Sequence, residues 1–282
     1  MTAGLPADLI DGLGVTGATP VSGGDVAQAF RLQTTGGPLF AKTHPAPMPG
    51  LFEREAAGLR ALRAASVIAV PEVVRERPSG LVLEWIDVGG RTAASEPDLG
   101  ARLAALHRVT GPHFGGLDDS PGGYLGSQPV DLTPTDDWAE FFLERRVRPL
   151  TGRAVELGRI DPAALAEVER IAPQAGERCG PPEPPSLLHG DLWAGNRLVD
   201  AAGTNWLIDP AASFGHREVD LAMMQLFGGF GDAAYAAYDE SFPLADGWRD
   251  RTRWYQLPPL LVHAILFGGS YGRAAMDVLV SS

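Results

Sequence analysis

His189-Gly190-Asp191-Leu192-Trp193-Ala194-Gly195-Asn196, followed by Ile208-Asp209-Pro210, decides the reading of this chain. The first stretch spells H-G-D-x-x-x-x-N. The second ends an apolar run with another Asp. Three groups must converge on one phosphate in phosphoryl transfer: a carboxylate facing the acceptor hydroxyl, and an amide and a second carboxylate holding Mg²⁺. An H-G-D alone is weak evidence. An Asn at the correct offset and an Asp after the next strand make the signal specific.

Working outward, 197–200 and 205–208 read as two strands around a turn at 201–204. One hairpin then carries Asn196 at one end and Asp209 at the other, so candidate metal ligands 13 positions apart become neighbours in space. Asp191 is the candidate catalytic base. Protein kinases use the pattern H-R-D-x-x-x-x-N with a later metal-binding Asp.

The complementary half of such a site lies near the other end of the chain. Of 23 cationic side chains, one, Lys42, is a lysine. A compact ammonium on a flexible stem differs in kind from a planar guanidinium, so a lone lysine invites a site-specific reading. Residues 26–32 and 38–42 read as strands joined by the turn Thr34-Thr35-Gly36-Gly37. Upstream lies Ser22-Gly23-Gly24-Asp25, in which Gly23 and Gly24 are candidates to bring backbone close to a nucleotide phosphate. A helix over 51–64 should follow the Pro-rich 45–49, and Glu55 on it is the expected ion-pair partner of Lys42. At least one of Glu53 and Glu55 is expected only to complement the helix dipole. Leu81 to Ile86 is a strand ending in Asp87 and Gly89-Gly90. Glu84, Trp85 and Ile86 are therefore candidates for a hinge whose backbone receives adenine.

Composition bounds the alternatives. The chain has 282 residues, 45% hydrophobic and 21% charged, as expected of a globular protein with ample core. Its formal net charge of −12 disfavours nucleic acid and anionic membrane surfaces as partners. One cysteine, Cys179, excludes an internal disulfide. No run reaches the ~18 apolar residues of a membrane span, and MTAGLPADLIDGLG lacks the features of a secretory signal. A cytoplasmic monomer is expected.

Elsewhere, residues 5–13 read as a short helix, and 96–109 as a helix with Leu99, Leu103 and Leu106 on one face. His107 reads as a satisfied structural residue. Residues 111–130 read as a long Gly/Pro/Asp loop. A helix over 136–157 carries Trp138, Phe141 and Phe142 as core, with Arg145, Arg146 and Arg148 as a solvated or salt-bridged face. Further helices are expected over 162–172, 231–240 and 248–267. The six histidines lack zinc-ligand spacing.

The chain resembles the fructosamine kinase (ketosamine-3-kinase) family, a branch of the protein-kinase-like fold shared with aminoglycoside phosphotransferases and choline kinases. HGD-x-x-x-x-N and the following I-D are common to that wider group. HGDLWAGN (189–196), IDPAASFGHREVDLAM (208–223), LFGGF (226–230), Asp136-Asp137-Trp138 through Arg145-Arg146, and Tyr255-Gln256-Leu257 leading to His263 are the more discriminating stretches. The resemblance spans about 5–273. It implies an α+β bilobal fold, with a β-rich nucleotide-binding lobe over 1–87 and a mainly helical lobe over 88–282. It also implies ATP and Mg²⁺, and a ketosamine acceptor, free or on a protein lysine, phosphorylated on the sugar 3-hydroxyl in deglycation repair. Lys42 would neutralise the α/β-phosphates, and Asn196 and Asp209 would hold metal.

Several positions depart from the wider pattern or stay open. The turn VSGGDVAQAF is not G-x-G-x-x-G. Asp25 stands where some members carry cysteine, so redox control by that route is not expected. Ile-Asp-Pro and the short 210–220 segment argue against a flipping activation switch. Trp193 either stacks on a sugar or packs under the catalytic loop. His216, Arg217 and Glu218 either line the sugar site or brace the loop, and Asp220 should tie down the loop backbone. The competing readings are an aminoglycoside- or choline-kinase-like phosphotransferase and a pseudokinase serving as a binding module.

Overall fold

The computed structural model describes residues 4–21, 27–118 and 120–281. The N-terminal part is a five-stranded antiparallel sheet in the order β1-β2-β3-β5-β4. Its strands are β1 (Val15–Val21), β2 (Gln28–Thr34), β3 (Gly37–Thr43), β4 (Val73–Arg77) and β5 (Gly80–Glu84). A short helix α1 (Ala7–Ile10) precedes them, and α2 (Leu51–Ala65) lies between β3 and β4. β3 is central, pairing Lys42 with Ala29 on β2 and with Leu81 on β5. Alternation along β3 then fixes the face that Lys42 occupies.

Helix α2 forms because Phe52, Ala56, Leu59 and Leu62 recur at helical spacing, and all four are buried. Full burial of each large side chain contributes about 1.5–3 kcal/mol. The helix ends at Ser66 in a left-handed conformation, φ 57°. Its buried stripe belongs to a core that continues through Leu81, Leu99, Leu207 and Leu221, joining the sheet to the helical part.

The C-terminal part begins with α3 (Ser95–His107) and a hairpin of β6 (Gly122–Leu125) and β7 (Gln128–Asp131). It continues through α4 (Trp138–Phe142), α5 (Arg148–Glu156), α6 (Ala163–Ile171) and α7 (Ala175–Cys179). Strands β8 (Ser186–Leu188), β9 (Arg197–Val199), β10 (Asn205–Leu207) and β11 (Ser213–Gly215) frame the catalytic-type loop. Helices α8 (Glu218–Leu226), α9 (Asp232–Ser241), α10 (Trp248–Tyr255), α11 (Leu257–Phe267) and α12 (Ser270–Ser281) complete the chain. Helix α3 packs closely on α9 because Gly100 leaves no side chain between them: a Cβ there would lie 2.0 Å from the Ala234 carbonyl oxygen. A second core gathers α4 to α7 with α10, α11 and α12.

The α+β, kinase-like expectation holds, with four local corrections. The segment read as a loop over 111–130 contains the β6–β7 hairpin, whose Gly-rich strands hid its pattern. The helix expected over 136–157 is a rod interrupted by a π-helical turn, Leu143–Val147. The one expected over 248–267 breaks at Gln256, because Pro258 and Pro259 belong in the first turn of a new helix. Only Ala7–Ile10 of the helix read over 5–13 is helical.

Candidate active site

The β9–β10 hairpin pairs Arg197 with Leu207, and Ile208 N–H donates to the Asn196 carbonyl at 3.0 Å. Asn196 and Asp209 therefore stand side by side. Asn196 Nδ2 donates to Asp191 Oδ2 at 3.0 Å and to the Asp191 carbonyl at 2.9 Å, with a longer contact of 3.4 Å to the Asp209 carbonyl. With the nitrogen so committed, Oδ1 is the atom left to accept or to coordinate. Asp209 has φ 53°, a left-handed conformation that L side chains rarely adopt. Strain of this kind persists where the surroundings over-determine it.

Two devices hold the loop carrying Asp191. Gly190 has φ 82°, and a Cβ there would lie 2.1 Å from the Ala211 carbonyl oxygen, so this turn requires glycine. Asp220, fully buried on α8, accepts from the backbone N–H of His189 at 2.7 Å and of Gly190 at 2.8 Å. His107 Nε2–H also points to Asp220, at 3.2 Å, while His107 Nδ1 meets the Tyr238 hydroxyl at 2.8 Å. Burial pushes the Asp220 carboxyl up, but the His107 hydrogen bond and the neighbouring histidines hold it below its usual value. His189 donates Nε2–H to the Ile208 carbonyl at 2.9 Å, and burial lowers its pKa. His107 and Asp220 are thus the structural residues that the sequence suggested.

Across the cleft, Lys42 Nζ lies 2.6 Å from Glu55 Oε2 and 3.1 Å from Asp209 Oδ1. Burial works against the ammonium, but the Asp209 and Glu55 charges outweigh it and raise the pKa above its usual value. Burial pushes the Asp191 carboxyl up to about 7, and the Asp209 charge adds to the rise.

These groups line one cleft of about 730 Å³, with Glu84, Trp85 and Ile86 on its wall at the end of β5. Arg31 stacks over Trp85 at 5.0 Å. Trp193 is 39% exposed, lines the cleft and meets Phe227 edge-on at 6.2 Å. Its indole also lies against Gly195 of the same loop, where a Cβ would come within 2.2 Å of the ring. Gly23 and Gly24 lie outside the described residues.

His216, Arg217 and Glu218, offered as sugar-site candidates, do not line this cleft. All three are buried. His216 stacks on Tyr255 at 5.4 Å. Arg217 grips Glu183 through Nε and Nη2 at 2.7 and 2.8 Å, and Glu218 takes two hydrogen bonds from Arg251. This buried ionic network braces the entry to α8.

Sequence reasoning missed three features. Arg197, buried, binds Asn205 Oδ1, Glu96 Oε1 and the Ser95 carbonyl, tying the β9–β10 hairpin to α3. Arg54 on α2 meets Asp118 at 2.9 Å, and Tyr124 donates to the Pro49 carbonyl at 2.7 Å, so the β6–β7 region touches the N-terminal part twice. Arg146, read as part of a solvated or salt-bridged face, is buried and lines the cleft. Only its setting on a π turn could have signalled this.

The donor set suits Mg²⁺ held through phosphates. Among the described residues no group of three or more His, Cys, Asp or Glu side chains could form a metal cage. Mg²⁺ keeps waters and needs only one or two carboxylates beside substrate phosphates. Asp209, with Oδ2 free of Lys42, and Asn196 Oδ1 meet that requirement.

A fructosamine kinase family model matches residues 5–281. A probable ketoamine kinase of Enterococcus faecium is 40% identical over 92% of this chain and 93% of its own. A chloroplastic protein-ribulosamine 3-kinase of Arabidopsis thaliana is 34% identical over 94% and 82%. A crystal structure of a protein assigned as a fructosamine-3-kinase from Thermobifida fusca shares 37% identity, with a TM-score of 0.89 over 98% of this chain and 96% of that one. An ADP-bound aminoglycoside phosphotransferase, at 15% identity and a TM-score of 0.64 over 99% and 97%, shares the fold alone. The chain belongs to the fructosamine kinase family.

Proposed function

We propose that this protein transfers the γ-phosphoryl group of ATP to the 3-hydroxyl of a ketosamine such as fructosamine or ribulosamine. The observation that carries the reading is the convergence of Asp191, Asn196, Asp209 and Lys42 on one cleft. The names of the relatives support the acceptor class.

ATP enters between lobes over 1–87 and 88–282, its adenine on the Glu84–Ile86 backbone. Lys42, held charged and aimed by Glu55, pairs with the α/β-phosphates. Asp209 and Asn196 would hold Mg²⁺, which would supply charge neutralisation at the phosphates. Asp191 orients the acceptor hydroxyl. As its oxygen bonds to the γ-phosphorus and the bond to the ADP oxygen breaks, the hydroxyl proton passes to Asp191. Catalysis is then mainly positioning and electrostatic stabilisation. Trp193 offers a face to the sugar. The 3-phosphate product sheds its sugar, which makes deglycation repair by a cytoplasmic monomer the physiological reading.

The test is Asp191→Asn assayed with a fructosyl-amine. Turnover should vanish while ATP binding by calorimetry persists. Undiminished turnover would remove Asp191 as the base and undo the proposal.

A further inference from the structure

Arg146 is 7% exposed, yet it makes no ion pair with a carboxylate of any described residue. Its Nη1 donates to the carbonyls of Asp131 at 2.7 Å and Arg145 at 2.9 Å. Its guanidinium carbon lies 4.6 Å from the centre of the Phe141 ring. The nearby Asp131 carboxylate is engaged elsewhere, with Arg145 at 2.6 Å and with Thr133. The Nε–Nη2 edge of Arg146 therefore has no partner among the described residues. Buried charges are ordinarily paired, because desolvating an unpaired ion is costly. A guanidinium left half-satisfied on a cleft wall is set up for a partner that arrives with a ligand.

Its place in the fold says which ligand. Arg146 sits on the π turn Leu143–Val147, against which α4, α5, α11 and β7 pack. All four elements belong to the helical part, and Arg146 shares the cleft with Asp191. Arg146 thus comes from the same part of the chain as Asp191, whereas Lys42 and Glu84 come from the sheet. Burial pulls its pKa down only to about 10, so it stays charged at neutral pH. The free edge offers two parallel N–H donors, the geometry that matches a carboxylate or a phosphate.

We infer that Arg146 is a specificity-determining residue that binds an anionic group carried by the acceptor, either a carboxylate on its amine half or a phosphate ester on its sugar half. The inference rests on the ketosamine reading and narrows it. Adducts of free α-amino acids, or of phosphorylated sugars, carry such an anion close to the ketosamine. The ε-amine adduct of an unphosphorylated sugar on a protein lysine carries none, because the lysine α-carboxyl is in a peptide bond.

The test compares three acceptors: N-ribulosyl-methylamine, N-ribulosylglycine, and the first compound with a phosphate on its terminal hydroxyl. Wild type should favour at least one anionic acceptor over the neutral one by roughly 10- to 100-fold in kcat/KM, the scale of a charge-assisted bidentate contact. In Arg146→Met that ratio should fall to about one, with the loss in KM rather than kcat, and Arg146→Lys should restore part of it. The anion that shows the effect identifies its source. Equal kcat/KM for all three acceptors in wild type, or a preference that survives in Arg146→Met, overturns the inference while leaving ketosamine phosphorylation intact. Should Arg146→Met lose its melting transition, Arg146→Lys decides, and an unchanged preference there overturns the inference. If wild type turns over none of the three, the ketosamine reading falls separately. Calorimetric titration of the same compounds then decides the anion site: tighter binding of an anion, lost in the variant, keeps it, and anything else removes it.

Discussion

Lys42 Nζ and Asp209 Oδ1 meet at 3.1 Å although 167 positions separate them in the chain. That contact joins the sheet to the end of the β9–β10 hairpin. The same ammonium lies 2.6 Å from Glu55, so Lys42 is held between two carboxyl groups, with Lys42 and Glu55 buried and Asp209 partly exposed. A broad, planar guanidinium cannot occupy that space in the same way as a compact ammonium.

Lys42→Arg should therefore lower kcat/KM by roughly 100-fold or more, the scale on which an electrostatic contact in a desolvated site acts. Steady-state kinetics at saturating ATP measure it. A fully active variant would contradict the steric account of the lone lysine.

Asp220→Asn should both destabilise and inactivate. The carboxylate accepts from two backbone N–H groups and faces His107. An amide can keep only part of this and turns a donor toward donors. A loss of about 3 kcal/mol in chemical denaturation is expected, as for removal of one partner from a buried charged network. Turnover should fall further than stability explains, because the loop carrying Asp191 loses its anchor.

Gly190→Ala should cost about 1–3 kcal/mol through its left-handed backbone alone, and the Cβ collision with the Ala211 carbonyl adds to that. The check is a melting curve with ATP turnover on the same preparation. A variant of wild-type stability and activity would mean that the loop relaxes freely.

Much of this site was legible because its signals are local. Asn196 and Asp209 face each other across a short hairpin, and turn and strand residues announce that hairpin. Glu55 lies 13 positions after Lys42, early on the next helix, in a chain with no competing lysine. Arg146 was illegible because a run of arginines usually reads as solvated surface. Its burial depends on a π turn and on a carbonyl 15 positions upstream, in a hairpin masked by glycine. His216, Arg217 and Glu218 were ambiguous because their partners are distant in sequence: Glu183 lies 34 positions from Arg217, and Arg251 lies 33 from Glu218. Charged residues beside a catalytic motif look functional until those partners are seen.

His216 should make stability acid-sensitive. Burial lowers its pKa from the ordinary 6.5 to about 4, with the Glu183 charge opposing and the Arg217 and Arg251 charges assisting. The unfolded chain binds this proton first, so the contribution is fully present above pH 6.5 and is lost as pH falls toward 4. His216→Phe, which keeps a ring against Tyr255, should flatten the dependence of unfolding free energy on pH across that window. An unchanged slope would show that His216 is not buried neutral.

The central claim is tested most directly by an ATP turnover panel of ribulosamine, fructosamine and an aminoglycoside, with the phosphorylated position read by NMR. The account predicts phosphate on the 3-hydroxyl of a ketosamine and no transfer to the aminoglycoside. Transfer to the aminoglycoside with none to either ketosamine would contradict it.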